Sequence, residues 1–113
     1  MAMIIATRTL KLLTQTGSID VPIRIFAPEP ARIDWACRFE IDWPEGRLER
    51  FAEGVDAVQA LLLALQMIGA QLYASSQHES GRLMWLEPAR GYGFPVPQSM
   101  RDMLIGDDLR YGA

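Results

Sequence analysis

The feature that most constrains the fold is the stretch VDAVQALLLALQMIGAQLYAS, which occupies residues 55–75. Its apolar residues recur with the period of an α-helix and gather on one broad side, which is formed by Val58, Leu61, Leu62, Leu65, Ile68, Leu72 and Tyr73. Asp56 is followed three residues later by Gln59, which is the spacing of a capping box. We therefore expect a helix that runs from about Ala57 to about Ser76 and buries that side.

The polar residues of this stretch distinguish a core helix from a membrane anchor. Asp56, Gln59 and Gln66 lie opposite the apolar side, and the uninterrupted apolar run covers only residues 60–65. A membrane-spanning helix needs roughly 20 predominantly apolar residues without such a polar stripe. The pattern predicts a helix laid on a sheet, and it argues against a membrane as partner.

The first half of the chain has the period of β-strands. Over residues 34–42, for example, Trp35, Cys37 and Phe39 alternate with polar or small residues. Five segments with this alternation or with high β-propensity are predicted strands: residues 4–13, 18–27, 34–42, 47–52 and 82–88. Pro22 lacks a backbone donor, which predicts either an edge position for the second strand or pairing that begins after the proline.

The remaining segments complete an α+β fold. Residues 75–81 are a polar exit from the helix, at whose end Gly81 supplies a left-handed stop. Glycines and prolines exclude regular helix over residues 89–97, whereas residues 99–106 have the pattern of a short helix and residues 107–113 that of a frayed tail. The sequence predicts an antiparallel β-meander of about four to five strands packed against one long α-helix, with a short C-terminal helix.

The size and charge of the chain limit what it binds. Its 113 residues fit a single α+β domain, residues 1–113. The 11 basic and 14 acidic side chains give a net charge of −3, which argues against nucleic acid or an anionic membrane as partner. The one cysteine rules out an intramolecular disulfide, and the opening residues lack a secretory pattern, so we expect a cytoplasmic protein.

The residues that carry chemistry do not form a recognisable catalytic or metal-binding pattern. One histidine and one cysteine exclude a zinc motif, and we expect no metal and no cofactor. Cys37 and His78 are the one thiol–imidazole pair, but Cys37 is in phase with the predicted core, where a thiolate is disfavoured. His78 with Glu79, alone or together with Glu53 or Glu40, could form an acid–base set, but no spacing requires it. An enzyme is therefore the less favoured interpretation.

The segment GYGFPVP, residues 91–97, allows two interpretations. In the first, it forms the lip of a ligand pocket against the helix exit, and five residues bind the ligand: Ser76, His78, Glu79, Tyr92 and Phe94. In the second, Phe94 and Val96 fasten the chain to the sheet while the prolines keep it extended. We favour the second interpretation, because aromatic residues in loops commonly close the edge of a core.

A single helix on a single sheet leaves surfaces to be covered. Leu63 lies on the polar side of the predicted helix and, with Ala60, Met67 and Ala70 nearby, can join a smooth patch for self-association. The far face of the sheet needs a cover, either from the C-terminal segment or from a second copy. We therefore favour a non-catalytic interaction domain that forms a homodimer or binds an unknown protein, with a ligand-binding protein or small enzyme as the alternative.

Three segments resemble a family of short bacterial proteins known only as a domain of unknown function: GVDAVQALLLALQMIGAQLYAS (54–75), SGRLMWL (80–86) and GYGFPVP (91–97). The segments RTLKLL (8–13) and IFAPEP (25–30) take part in the resemblance, which spans most of residues 4–97. The order of long helix, basic–apolar strand and glycine–proline loop carries it. The resemblance implies a bacterial, cytoplasmic, stand-alone domain and assigns no activity, ligand or site residue.

Overall fold

The computed structural model describes residues 3–112. Residues 1 and 2, at the start of the predicted domain, and residue 113, in the predicted tail, lie outside the described residues. Within this range the strands are β1 (Ile4–Thr14), β2 (Gly17–Phe26), β3 (Glu29–Pro30), β4 (Trp35–Trp43), β5 (Gly46–Gly54) and β6 (Leu83–Met84). The helices are α1 (Ala57–Tyr73), α2 (Ser76–Glu79) and α3 (Gly106–Tyr111), and a 3₁₀ helix spans Gln98–Met103. These elements confirm the predicted α+β fold.

The four long strands form the predicted antiparallel meander. β1 pairs with β2, β2 with β4, and β4 with β5, so each strand lies beside the next long one along the chain. The short β3 pairs with β4 past the end of β2. The predicted fifth strand is shorter than expected: β6 adds to the other edge of β1 and ends before Leu86, whose φ of 65° is incompatible with an extended strand.

Pro22 lies in a strand that is not at the edge of the sheet. β2 pairs with β1 along its whole length and with β4 on its other side, so the edge alternative is wrong. Pairing that begins after the proline, the second alternative, is found only on the β4 side, where it begins at Ile23; on the β1 side, pairing runs through Pro22. A missing N–H is tolerated at Pro22 because β4 is not paired with that position.

The sheet has an apolar inner face and an ion-paired outer face. The inner face consists of buried side chains, among them Leu10, Val21, Ile23, Cys37, Phe39 and Ile41. On the outer face, Arg24 donates to Glu40 at 2.9 Å and to Asp42 at 2.5 Å. Hydrogen bonds from Arg47 and Arg24 hold the pKa of Asp42 below its usual range. Ion pairs thus make this face polar, and its predicted cover by the C-terminal segment or by a second copy stays a prediction.

The long helix α1 approaches the sheet through small residues. Its buried positions are Ala60, Ala64, Ile68, Gly69, Leu72 and Tyr73. The approach is closest at Gly54, the last residue of β5, where a Cβ would lie 2.4 Å from the backbone nitrogen of Ala60. Because the backbones are so close, larger side chains lie at the flanks of the helix, and Val58 and Leu62 are exposed. Their predicted place in the core is therefore wrong.

Serine, aspartate and glutamine side chains fix where α1 begins and ends. The predicted capping box is confirmed: Asp56 accepts from the Gln59 amide at 2.8 Å, and the Gln59 side chain accepts from the Val55 amide at 2.7 Å. The helix ends at Tyr73, earlier than predicted, because Ser75 caps the separate turn α2 by accepting from the His78 amide at 3.1 Å. The left-handed stop predicted at Gly81 is present, with φ of 76°.

The glycine–proline segment fastens the chain to the rest of the molecule. Phe94 and Val96 are buried and belong to the core, so the favoured interpretation of residues 91–97 is confirmed. The segment lies so close to α1 that a Cβ on Gly69 would be 1.9 Å from the carbonyl oxygen of Pro95.

The C-terminal residues are helical where the sequence predicts a frayed tail. The short helix predicted over residues 99–106 is a 3₁₀ helix over Gln98–Met103, and α3 follows at Gly106–Tyr111. The frayed-tail prediction failed because Asp108 is buried and hydrogen-bonded to the glycine–proline segment, which holds α3 in place.

Replacing Gly69 by alanine tests the close contact between α1 and Pro95. Alanine in a helix interior is ordinarily more favourable than glycine by about 1 kcal/mol. Here the added methyl group overlaps the Pro95 carbonyl oxygen, so we expect the free energy of unfolding, measured by urea denaturation, to fall by about 1–3 kcal/mol. The control Gln66→Ala in the same helix should change it by less than ~0.5 kcal/mol. A Gly69→Ala protein as stable as the original would contradict this packing.

Candidate functional site

Two of the predicted site residues, His78 and Tyr92, are brought together. His78 lies in α2 and Tyr92 in the glycine–proline segment, and the histidine Nδ1 is 2.5 Å from the tyrosine hydroxyl oxygen. Burial raises the pKa of Tyr92 and lowers the pKa of His78. Tyr92 therefore stays protonated, and its hydroxyl donates a hydrogen bond to Nδ1 of a neutral imidazole. Both rings also lie against Tyr73, with centroid distances of 4.8 and 5.1 Å.

The other three predicted residues do not join this pair. Ser76 begins α2 and is exposed, with its hydroxyl 3.3 Å from the side-chain oxygen of Gln77. Glu79 ends α2 and is exposed as well. Phe94 is buried in the core, where its ring centroid lies 4.9 Å from the guanidinium carbon of Arg8. Three aromatic rings in mutual contact thus lie where the sequence places a pocket.

Asp108, which the sequence analysis missed, is the centre of the polar network. This α3 residue is 1% exposed. Its Oδ2 accepts from the Tyr73 hydroxyl at 2.5 Å and from the Tyr92 amide at 2.8 Å, and its Oδ1 accepts from the Gly93 amide at 2.8 Å. A buried carboxylate is tolerated only with such donors. Asp108 therefore binds α3 to the glycine–proline segment, residues 91–97, which is called the loop from here on, and to the end of α1.

Arg8 holds the same loop from the side of β1. Its guanidinium donates to the carbonyl oxygens of Tyr92 and Gly93 at 3.1 and 3.0 Å, and it lies 3.8 Å from the ring centroid of Trp85. Burial lowers the pKa of Arg8, and the charge of Asp108 opposes that shift. Two opposite charges thus bind the amide hydrogens and the carbonyl oxygens of the same two loop residues.

The loop glycines are the sequence signal for these missed residues. A Cβ on Gly91 would lie 2.5 Å from the carboxylate carbon of Asp108, and one on Gly93 would lie 2.7 Å from a guanidinium nitrogen of Arg8. Both glycines also have positive φ, 88° and 75°. Glycine at these positions indicates a close neighbour. The pattern does not identify that neighbour, because Arg8 is 85 residues and Asp108 is 15 residues from Gly93 in sequence.

A cavity of about 380 Å³ borders this network. Asp108 and Gly93 form part of its wall, and Trp85, Leu86 and Tyr111 contribute its apolar lining. The lining contains none of the five predicted residues. The cavity therefore lies between the loop and α3, and it differs from the pocket that the sequence places between the loop and the helix exit.

The other residues considered for catalysis lie outside the network. The Cys37 thiol donates to the carbonyl of Phe26 at 3.3 Å, and burial raises its pKa, as expected of a core cysteine. Glu40 is held by Arg24 on the outer face of the sheet, and Glu53 is exposed on β5. Within the part of the chain that the structure describes, no three His, Cys, Asp or Glu side chains are placed to hold a metal ion.

A second candidate surface is the exposed side of α1. Residues 57–73 contain no charged side chain, although the exposed face of a helix normally carries charges. Val55, Val58 and Leu62 expose 74, 65 and 53% of their surface and follow one another at helical spacing. The predicted patch around Leu63 is present in part. Leu63, Met67 and Ala70 line a groove together with Phe51, whereas Ala60 is buried. This side of α1 has the composition of a contact surface.

No helix among the described residues has both the length and the apolar character needed to cross a bilayer.

The fold and these surfaces define a small α+β protein, in which one long helix and a glycine–proline loop pack on an antiparallel sheet. The model of a family described as a domain of unknown function (DUF6968) matches residues 6–96, and the chain belongs to this family. The predicted membership of an uncharacterised family is thus confirmed. The match contains the paired His78 and Tyr92 and ends before α3, which supplies Asp108. No curated protein and no solved structure matches the chain.

Replacing Asp108 by asparagine tests whether its carboxylate holds the loop. Asparagine has the same shape, but its amide group would face backbone N–H or hydroxyl donors. We expect the free energy of unfolding, measured by urea denaturation, to fall by about 2–4 kcal/mol because buried donors lose their acceptor. The matched control is Asp107→Asn, which breaks a surface ion pair with Arg90 and should cost about 1 kcal/mol or less. Equal effects of the two substitutions would contradict the role of Asp108.

Proposed function

We propose that this protein is a non-catalytic interaction domain that forms a homodimer through the exposed N-terminal half of α1. The observation that carries the proposal is an uncharged helix with an exposed apolar stripe formed by Val55, Val58 and Leu62. Scattered exposed apolar residues are normal on a soluble protein, but contiguous ones mark contact surfaces. Covering this stripe removes apolar surface from water, which is the driving force for association.

The charge distribution favours a second copy as the partner. Each protomer has a net charge of −3, so two copies repel each other unless they meet through a neutral surface. The outer face of the sheet is densely charged, whereas residues 57–73 carry no charge. A two-fold axis through α1 would place the same uncharged helix surface, residues 57–73, on both sides of the interface.

The size of the surface predicts a weak dimer. A helix of 17 residues is about 25 Å long and about 10 Å wide, so its exposed side covers roughly 250 Å². A standard interface uses about 800 Å² on each partner. Because the stripe alone is too small, the proposed interface also includes Phe51 and Leu63, which share a groove at the other flank of α1. We expect the dimer to form at micromolar concentrations of protein.

A non-catalytic role is supported by the hydrogen bonds that His78 and Asp108 already make inside the protein. The imidazole of His78 accepts from Tyr92, and the carboxylate of Asp108 accepts from Tyr73 and from two backbone amides. Groups held this way inside the protein stabilise the fold, whereas a catalytic acid or base must reach its substrate. For the same reason we rank the alternative, a ligand site or small enzyme between residues 75–81 and 91–97, below the interaction domain.

The proposal includes a cytoplasmic location in a bacterial cell, with no nucleic acid or membrane as partner. A lone reduced thiol, Cys37, is compatible with the reducing cytoplasm. The acidic balance of the chain is unfavourable for phosphate-rich partners. A further protein partner of unknown identity is part of the same proposal.

Replacing Leu62 by glutamate tests the proposed dimer. Leu62 is exposed in the protomer, so the variant should fold, which circular dichroism checks. The original protein should sediment as a dimer at high micromolar concentration, and Leu62→Glu should weaken dimerisation at least about tenfold because an unpaired carboxylate would be buried. Sedimentation velocity measures both. The matched control is Ile33→Glu, which places the same charge on an exposed apolar residue of the turn before β4. A monomeric original protein, or equal effects of the two substitutions, would contradict the proposal.

A further inference from the structure

The cavity beside Asp108 has the size of a binding site for a small molecule. Its volume of about 380 Å³ lies within the range of such sites, roughly 300–1,000 Å³. Leu86 and Tyr111 are exposed although they line it, so a bound molecule would remove their apolar surface from water. The volume and the exposed apolar lining together favour an occupant with an apolar body.

The charged residues of the lining are predominantly acidic. Glu87, Asp107 and Asp108 contribute carboxylates, and Arg90 is the cation among the lining residues. Arg90 already donates to Glu87 at 2.7 Å and to Asp107 at 2.7 Å. Because the charge of Arg90 is shared between these two carboxylates at the rim, the lining keeps an excess of negative charge.

Asp108 retains an acceptor site at the wall of the cavity. Each carboxylate oxygen has two lone-pair directions. Oδ2 accepts from Tyr73 and Tyr92, whereas Oδ1 accepts from Gly93 alone among the described residues. The nearby cation Arg8 donates to loop carbonyls. Oδ1 therefore has one unused lone-pair direction, and Asp108 is one of the residues that line the cavity.

The aromatic lining is also suited to a cation. One face of the Trp85 ring is occupied by the guanidinium of Arg8, whose carbon lies 3.8 Å from the ring centroid, so Trp85 offers a bound molecule apolar contact. Tyr111 adds a second ring to the lining. Aromatic rings attract cations through the negative charge of their faces, and carboxylates accept charge-assisted hydrogen bonds from ammonium groups.

We propose that this cavity binds a small organic cation, an amine whose aromatic or alkyl body contacts Trp85 and Tyr111 and whose ammonium group donates to Asp108 and the rim carboxylates. With Arg8 counted beside Arg90, three carboxylates lie near two cations, and the remaining negative charge favours a cation over a neutral molecule or an anion. The cavity does not include α1, so this proposal holds whether or not the protein dimerises.

Three probes of the same shape and different charge test the proposal: phenethylamine, phenethyl alcohol and hydrocinnamate. Each is titrated into isotope-labelled protein while NMR follows the Gly93 amide, which donates to Asp108, and the Trp85 indole. We expect saturable shifts with phenethylamine, about tenfold weaker binding of the alcohol, and weaker binding still of hydrocinnamate. Equal affinity for the three probes, a preference for the alcohol or the acid, or no saturable shift with the amine would overturn the proposal.

Substitutions of exposed lining residues locate the binding site without threatening the fold. Tyr111→Ala and Glu87→Gln should each weaken phenethylamine binding at least about threefold. The matched control is Glu79→Gln, which removes the same charge from α2, outside the cavity, and should leave binding unchanged. Equal weakening by Glu87→Gln and Glu79→Gln would mean attraction to net charge alone, and unchanged binding to Tyr111→Ala would place the probe elsewhere. Either result rejects the site.

Discussion

The fold depends on the close approach of α1 to the sheet and to the loop at Pro95, which small residues make possible. Ala60 and Ala64 allow α1 to reach the sheet, and Gly69 allows the loop at Pro95 to reach α1. Small side chains permit short distances, but each buries little apolar area. Ile68 and Leu72 are buried in the core, whereas Val58 and Leu62 lie at the flank of the helix and remain in water. The constraint that positions α1 therefore also creates the surface through which we propose that the protein dimerises.

A second constraint acts at the C-terminal end of the fold. Arg8 from β1 and Asp108 from α3 bind the two sides of the same loop backbone, and this pair of charges fixes the loop that buries Phe94 and Val96. Inside the protein such hydrogen bonds are strong, and leaving any of these groups unpaired would be costly. The network uses the groups that would otherwise be available for catalysis, and its outer side forms the wall of the cavity beside α3.

The sequence predicts the elements of this fold better than its tertiary contacts. Alternation identified the inner face of β4 through Cys37 and Phe39, and the capping box at Asp56 located the start of α1. Ile68, Leu72 and Tyr73 are buried as predicted. Val58 and Leu62 were wrongly placed on the buried side, because helical periodicity weights large apolar residues, whereas small residues such as Ala60 set the spacing to the sheet. The candidate site was predicted only in part. His78 and Tyr92 were found because each lies in an unusual polar or glycine-rich segment. Asp108 was missed because its partners come from distant segments, which no local pattern reveals.

The central claim is that the exposed stripe of α1 is covered by a second copy of the chain. Isotope-filtered NMR on a mixture of carbon-labelled and unlabelled protein, at millimolar concentration, tests it without any substitution. We expect intermolecular Overhauser contacts between the Leu62 and Val58 methyl groups of one protomer and α1 of its partner. Intermolecular contacts confined to other surfaces, or none at these methyl groups, would contradict it.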